Sequence, residues 1–436
     1  MLKRKIMDEL LAWKQEERKP CLLVRGARQV GKTFIIEQFA RDNYENYIYI
    51  NFELMPSMKS IFDGDLDFRT LRLGLEVNFP GVKIEKGKTI LFLDEIGACP
   101  RARVALKTFA VDGTLDVIAS GSLLGLYYRE ITSYPVGYER SLELRPLDFE
   151  EFLWATGVSD DVIDLAREHF TKSQPLPAGQ LTRLADLFRI FLLVGGMPAV
   201  VNAYLATGSL TSAREVQAAL LDNYRNDIVK YASVSDKPKI LRTFDSIPMQ
   251  LAKKNKKFTW ADIDPSPEPA SERKYGSAIN WLKDAGLVNI CHNLQEPAAP
   301  LMANARPDCF KIYLRDTGLL LAMLEPGVTK AIFDGDNLVN QGGIVENVVA
   351  SELAAHGHPL MYFERKNTLE VDFLINPTGD VTAIEVKSGN NTQAKSLNII
   401  IQKYPTVTRC IKLEKTNLTI DDKQIEHLPL FMAMFL

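Results

Sequence analysis

The segment Gly26-Ala-Arg-Gln-Val-Gly-Lys-Thr33 constrains this chain more than any other. It reads Gly-x4-Gly-Lys-Thr between an apolar run, Cys21-Leu-Leu-Val24, and a helix-patterned stretch over 34–40. That order demands a buried strand, a tight glycine turn and a helix starting beside Lys32. The glycines let backbone N–H groups turn inward, and the helix N-terminus adds the positive end of its dipole, so the loop is shaped to hold phosphate. Gly26, Ala27, Arg28, Gln29, Val30, Gly31, Lys32 and Thr33 are then the nucleotide-contacting residues. Lys32 is expected on the β and γ oxygens, and the Thr33 hydroxyl on Mg²⁺. ATP and Mg²⁺ are the implied cofactors.

A second pattern is independent of the first. Four apolar residues, Ile90-Leu-Phe-Leu93, run into Asp94-Glu95. A buried strand ending in a carboxylate pair suits Asp94 to the metal and its water shell, and Glu95 to orienting or deprotonating an attacking water. The next apolar run, Asp116-Val-Ile-Ala119, closes in Ser120-Gly-Ser122. Ser120 is a candidate contact to the γ-phosphate, with Ser122 second; a plain Gly-Ser turn is the alternative. Arg129, Arg140 and Arg145 follow, and any of them is a candidate arginine finger across a contact between copies of the chain, or a surface arginine.

With Tyr47-Ile-Tyr-Ile-Asn-Phe52, these runs make four buried strands separated by helical segments, which is α/β architecture with a parallel sheet covered on both faces. A length of 436 residues exceeds one hydrophobic core. The chain divides into a P-loop core over 1–148, a helical lid over 149–232, a small helical module over 233–295 and a further α/β unit over 296–436. In the third segment, helices over 240–252 and 272–285 followed by a glycine turn and a short apolar strand fit a winged helix-turn-helix. In the last, a helix over 344–355 precedes strands near Met361, Val371 and Val381.

Composition excludes more than it selects. The net charge of −3 gives no overall attraction to nucleic acid, so DNA contact falls to local features such as Lys253-Lys-Asn-Lys-Lys257 and Arg273-Lys274, or these are solvated surface charges. The five cysteines are scattered without a Cys-x-x-Cys pair, against a disulfide framework or zinc ribbon. The first residues lack a signal-peptide apolar core, and the most apolar stretch, 188–205, is broken by Arg189, Gly195, Gly196 and Pro198. A cytoplasmic protein with no membrane partner is expected.

The combination of Arg25-Gly-Ala-Arg-Gln-Val-Gly-Lys-Thr33, Leu91-Phe-Leu-Asp-Glu-Ile96, Ser120-Gly-Ser122, Pro146-Leu-Asp-Phe-Glu-Glu-Phe152, Gly195-Gly-Met-Pro198, Tyr313-Leu-Arg-Asp-Thr-Gly-Leu319 and Gly343-Ile-Val-Glu-Asn347 resembles the prokaryotic AAA-type ATPases whose C-terminal part is domain of unknown function 4143. The resemblance covers nearly the whole length. It implies an AAA-type ATPase core and fixes architecture better than purpose.

Toward the C-terminus, Val371-Asp372 and Ile384-Glu385-Val-Lys387 set charges inside apolar strands. Glu385 and Lys387 are two apart and share a face, which Asp372 joins if the strands pair. Such a set suits Mg²⁺ binding and phosphodiester cleavage. Asp-x12-Glu-x-Lys is the arrangement of PD-(D/E)XK nucleases, whose fold the family's C-terminal domain resembles. Glu346 then matches the acidic residue such enzymes draw from a preceding helix. Asp372, Glu385 and Lys387 are the implied catalytic residues, with Glu346 as a further metal ligand. The alternative is a structural ion-pair cluster in an inactive domain. The expected activity is ATP hydrolysis coupled to DNA binding or cleavage. The alternatives are an ATP-switched scaffold or an ATPase with a protein client.

Overall fold

The computed structural model describes residues 2–122, 137–264, 270–334, 341–365, 369–377, 379–389 and 394–436. It divides into two compact units, one spanning Lys3–Arg145 with Asp284–Gly286, the other made mainly of Pro146–Lys283 and Leu287–Leu436.

In the first unit, β1 (Cys21–Gly26), β2 (Asn46–Asn51), β3 (Thr89–Asp94), β4 (Asp116–Ser122) and β5 (Glu139–Glu143) form a sheet in the order β2-β3-β4-β1-β5. Every pair is parallel. The four strands expected from apolar runs are present, and β5 is an addition. Its Glu-Arg-Ser-Leu-Glu sequence is polar because it lies at the sheet edge, where no residue is fully buried. Both faces of the central strands are covered: Leu23, Leu91, Leu93, Val117 and Ala119 pack against Leu71, Leu75, Leu106 and Phe109, while the alternate residues Leu22, Val24, Ile90, Phe92 and Ile118 are also buried. That double burial is why the strands read as continuous apolar runs.

The second unit opens with helices Phe149–Ala155, Asp160–Thr171, Ala178–Val194, Pro198–Thr207 and Leu210–Tyr231, as the sequence over 149–232 indicates. Helices Lys237–Ala252 and Glu272–Asp284 follow, then β6 (Val288–Leu294). The remaining strands are β7 (Ala305–Leu314), β8 (Met361–Arg365), β9 (Leu369–Ile375), β10 (Val381–Val386), β11 (Val407–Glu414), β12 (Thr419–Ile420) and β13 (Ile425–Pro429). These eight strands form one mixed sheet in the order β12-β13-β11-β10-β9-β8-β6-β7.

One expectation is corrected by this topology. The strand assigned to the winged module, β6, pairs antiparallel with β7 from Val288↔Leu314 through His292↔Phe310. The line drawn between 295 and 296 therefore runs through a strand pair, because the apolar run after Gly286 finds its partner in the next apolar run rather than in its own module. Helix Gly342–Ala355 is buried on nearly every side, which explains its lack of a polar face. The five cysteines are free and buried. Among the described residues no helix is long and apolar enough to cross a membrane.

Candidate nucleotide site and carboxylate–lysine cluster

The Gly26–Thr33 loop leaves the C-terminal end of β1 and enters helix Lys32–Asn43 through Gly31, whose φ of 94° is left-handed. Gly26 is required for a different reason. A Cβ there would lie 2.2 Å from the Leu144 carbonyl oxygen, since Leu144 hydrogen-bonds through its N–H to the Arg25 carbonyl at 2.8 Å. Gln29 also sits in the left-handed region, at φ 64°. Lys32 Nζ donates to the carbonyls of Gly26 (3.1 Å) and Ala27 (2.8 Å). Burial lowers its pKa to about 8, against the pull of Glu95 and Asp94.

Asp94, at the end of β3, is the centre of the site and is 2% exposed. Its Oδ2 accepts from Thr33 Oγ1 (3.0 Å), Tyr49 Oη (3.1 Å) and Asn51 Nδ2 (3.0 Å). Its Oδ1 accepts from the Glu95 N–H (3.0 Å) and from Ser120 Oγ. The sheet order explains the convergence: β4 lies between β1 and β3, so loop, serine and carboxylate meet at one end of three adjacent parallel strands. Glu95 takes a left-handed backbone, φ 52°. Burial, with Asp94 and Glu53 nearby, pushes its carboxyl above the usual range, opposed by Lys32 and Arg28.

Lys32, Thr33, Asp94, Glu95 and Ser120 are thus brought together. Ser120, expected to contact phosphate, donates to the Asp94 carboxylate. Arg140 is not brought to this group. It lies opposite Leu22 in the β1–β5 pairing, four residues and so about 13 Å before Gly26, with its guanidinium on Glu16 at 2.8 Å. Arg145 lies nearer the loop end of β5 and contacts Glu143 at 3.3 Å; Arg129 lies outside the described residues. Tyr49 and Asn51 were missed by sequence reasoning. Their signal was polar side chains two apart in an otherwise apolar strand, which places both on one face.

Several motifs of the second unit have a packing explanation. The Asp316 carboxylate caps helix Thr317–Ala322 through the Leu319 N–H (2.8 Å) and also accepts from the Gly196 N–H (2.6 Å). A Cβ on Gly196 would lie 2.0 Å from the Leu147 carbonyl. Asn347 accepts from the Leu314 N–H (2.8 Å) and donates to the Leu314 carbonyl (3.0 Å) and Thr317 Oγ1 (2.9 Å). The Pro146, Gly195, Tyr313 and Gly343 motifs therefore hold one junction of helix ends and sheet together.

The same unit gathers the C-terminal charges. β9 and β10 pair antiparallel with Ile384 opposite Phe373, so the next pair along is Glu385 with Asp372. Asp372 Oδ2 accepts the Val386 N–H at 2.8 Å, and Glu385 Oε1 meets Lys387 Nζ at 2.6 Å. Glu346, 3% exposed, lies on Lys256 Nζ at 2.7 Å and accepts from Tyr313 Oη at 3.1 Å. Lys311, fully buried on β7, lies 2.8 Å from Glu370, 3.8 Å from Glu346 and 3.9 Å from Asp372. Burial works against its charge, yet those three carboxylates hold the ammonium well above its usual range. Burial and neighbouring Asp372 raise the pKa of Glu346, against Lys311 and Lys256. Burial likewise raises that of Glu385, against Lys387.

Glu346, Asp372, Glu385 and Lys387 are therefore neighbours, but the arrangement differs from a set of ligands awaiting a cation. Their oxygens are hard donors suited to Mg²⁺. Ammonium groups already meet them, however, and among the described residues no group of three or more His, Cys, Asp or Glu is disposed to hold a metal ion. As these side chains stand, they do not fit one. The basic run at 253–257 is also partly spent internally: the Lys253 ammonium meets Asp262, and Lys256 turns in to Glu346.

An AAA domain model matches residues 18–153, domain of unknown function 8612 matches 185–329, and domain of unknown function 4143 matches 341–431. An uncharacterized protein of Methanocaldococcus jannaschii is 23% identical over 438 aligned positions, covering 93% of this chain and 85% of that protein. Among solved structures, Aeropyrum pernix ORC1 in complex with DNA is 14% identical with a TM-score of 0.29, covering 77% of this chain and 93% of its own. Caenorhabditis elegans PCH-2 is 15% identical with a TM-score of 0.28, covering 48% and 67%. Structural likeness of that degree carries no functional weight.

Proposed function

We propose, for a chain that belongs to the AAA-type ATPases carrying a C-terminal domain of unknown function 4143, that it binds ATP at Gly26–Thr33 and hydrolyses it with Glu95. The observation that carries this reading is the convergence of Lys32, Thr33, Asp94 and Glu95 at one end of β1 and β3. Thr33 Oγ1 and Asp94 Oδ2, 3.0 Å apart, suit the coordination of Mg²⁺ arriving with the nucleotide, Asp94 through bound water. The ion would supply charge neutralisation on the β and γ oxygens. Lys32 gives up its carbonyl partners to bind the same oxygens. Glu95, made more basic by its buried surroundings, takes the proton of the attacking water. Tyr49, Asn51 and Ser120 act as positioning residues that fix the Asp94 carboxylate.

For the C-terminal domain we favour an ATP-switched scaffold over a DNA-cleaving centre. Every carboxylate of the cluster has an ammonium beside it, and two of the lysines available for DNA are engaged internally. The test is ATP turnover in Mg²⁺ with and without duplex and single-stranded DNA, with Lys32→Ala as the blank, alongside plasmid nicking by wild type and Asp372→Ala. Turnover lost in Lys32→Ala, with no DNA stimulation and no nicking, supports both readings. Nicking lost in Asp372→Ala would restore the nuclease assignment.

A further inference from the structure

Lys256 is held in place from both sides. Three residues earlier the Lys253 ammonium meets Asp262, and two residues later the Phe258 N–H donates to the Phe310 carbonyl at 2.9 Å, with the two rings stacked at 5.4 Å. Between these anchors Lys256 adopts φ 49°, a left-handed conformation that a side-chain-bearing residue keeps only when its surroundings over-determine it. What the conformation achieves is direction: a lysine from a surface run points inward, its side chain 13% exposed, with Nζ 2.7 Å from Glu346 Oε1.

The charge count shows what that ammonium does. Among the described residues, Glu346, Glu370, Asp372 and Glu385 make direct ion-pair contacts with three ammonium groups, Lys256, Lys311 and Lys387, while buried Lys412, opposite Glu385 on β11, is paired with Glu414. Lys311 is shared among three of the four, and Lys387 is taken by Glu385. Among the described lysines, only Lys256 reaches Glu346 at hydrogen-bonding distance. Glu385 Oε2 is buried without a hydrogen-bond partner among the described residues, in a side chain 6% exposed. A divalent cation spanning Glu346, Asp372 and Glu385 has first to evict Lys256 from Glu346.

We propose that Lys256 is the internal cation of this cluster, an autoinhibitory contact that closes Glu346, Asp372 and Glu385 to divalent metal. Removing the ammonium leaves a buried group of carboxylates with one compensating charge fewer, which an added cation will fill.

The experiment counts Mn²⁺ bound to the full chain without nucleotide, by the electron paramagnetic resonance signal of free Mn²⁺. Wild type should bind no Mn²⁺ that Asp372→Asn removes. Lys256→Met should gain one site per chain, at least about tenfold tighter than anything at the cluster in wild type, and lose it again when Asp372→Asn is added. Lys256→Arg, which keeps the positive charge, should stay closed. A wild-type site that depends on Asp372, or no gain in Lys256→Met, overturns the proposal. Should Lys256→Met not fold, amine acylation of wild type followed by mass spectrometry decides instead. Lys256 should react at least about tenfold more slowly than exposed Lys254, and equal rates would refute the internal contact.

Discussion

Replacing Gly26 with alanine puts a methyl group where a backbone carbonyl already sits. The new Cβ lies 2.2 Å from the Leu144 oxygen and 3.2 Å from both the Leu144 carbonyl carbon and Val30 Cγ2. Ordinary contact requires the carbonyl to retreat by about 1 Å. It cannot do so freely, because the Leu144 N–H is tied to the Arg25 carbonyl at 2.8 Å and β5 is paired to β1 along its length. Overpacking of this kind costs about 1–3 kcal/mol. For a unit of this size that lowers the melting temperature by roughly 2–12 °C. The first turn of the phosphate loop moves with the strand, and a displacement of about 1 Å at a positioned group reduces its effectiveness by up to about 100-fold. Gly64→Ala is the control, because nothing lies within 4 Å of the Cβ it adds. Differential scanning calorimetry and isothermal titration with Mg²⁺–ATP read both effects. Gly26→Ala with wild-type melting and ATP affinity within about twofold would refute the close-approach argument.

Two further outcomes follow from named contacts. Asn51→Ala removes one of the donors fixing Asp94 and should lower kcat by about tenfold while changing ATP affinity less; the kcat against KM split in a steady-state assay checks it. Asp316 gives a pH signature. Burial raises its folded pKa to about 6, above its unfolded value, although its backbone N–H partners pull the other way. The folded form therefore holds that proton more tightly, so stability is greatest in acid and falls as pH rises toward 6. About 3 kcal/mol is lost across that window, and the contribution is flat above it. Asp316→Asn should remove the slope, and parallel urea-unfolding curves against pH in both proteins would contradict it.

How legible the molecule was depends on whether a feature is local in the chain. The phosphate loop, the strand running into Asp94 and Glu95, and the helices over 149–232 each declare themselves within about twenty residues, and each is present. What depends on which strand neighbours which was not legible. Polar β5 joined the first sheet at its edge, and β6 left its expected module to pair with β7. The hydrogen bonds of Tyr49 and Asn51 to Asp94 exist because β2 lies beside β3, and no local pattern states that adjacency. The carboxylate–lysine set lies on two paired strands and the helix before them. What changed its character are the ion pairs made by Lys256 and Lys311, which lie 90 and 35 positions before Glu346 in the chain. Lys256 was visible only as part of a basic run open to a solvated reading, and Lys311 was not singled out, because nothing local in the sequence states which carboxylates the fold brings to them.

The measurement that tests the central claim most directly is ATP binding and turnover by Glu95→Gln in Mg²⁺, beside wild type and Lys32→Ala. A glutamine keeps the shape of the side chain but cannot take a proton. The account predicts that Glu95→Gln retains ATP with affinity within about threefold of wild type while turnover falls by about 10²- to 10⁴-fold, and that Lys32→Ala neither binds nor hydrolyses. Glu95→Gln turning over ATP at the wild-type rate would remove Glu95 from the chemistry and, with it, the reading of the β3 terminus as the hydrolytic centre.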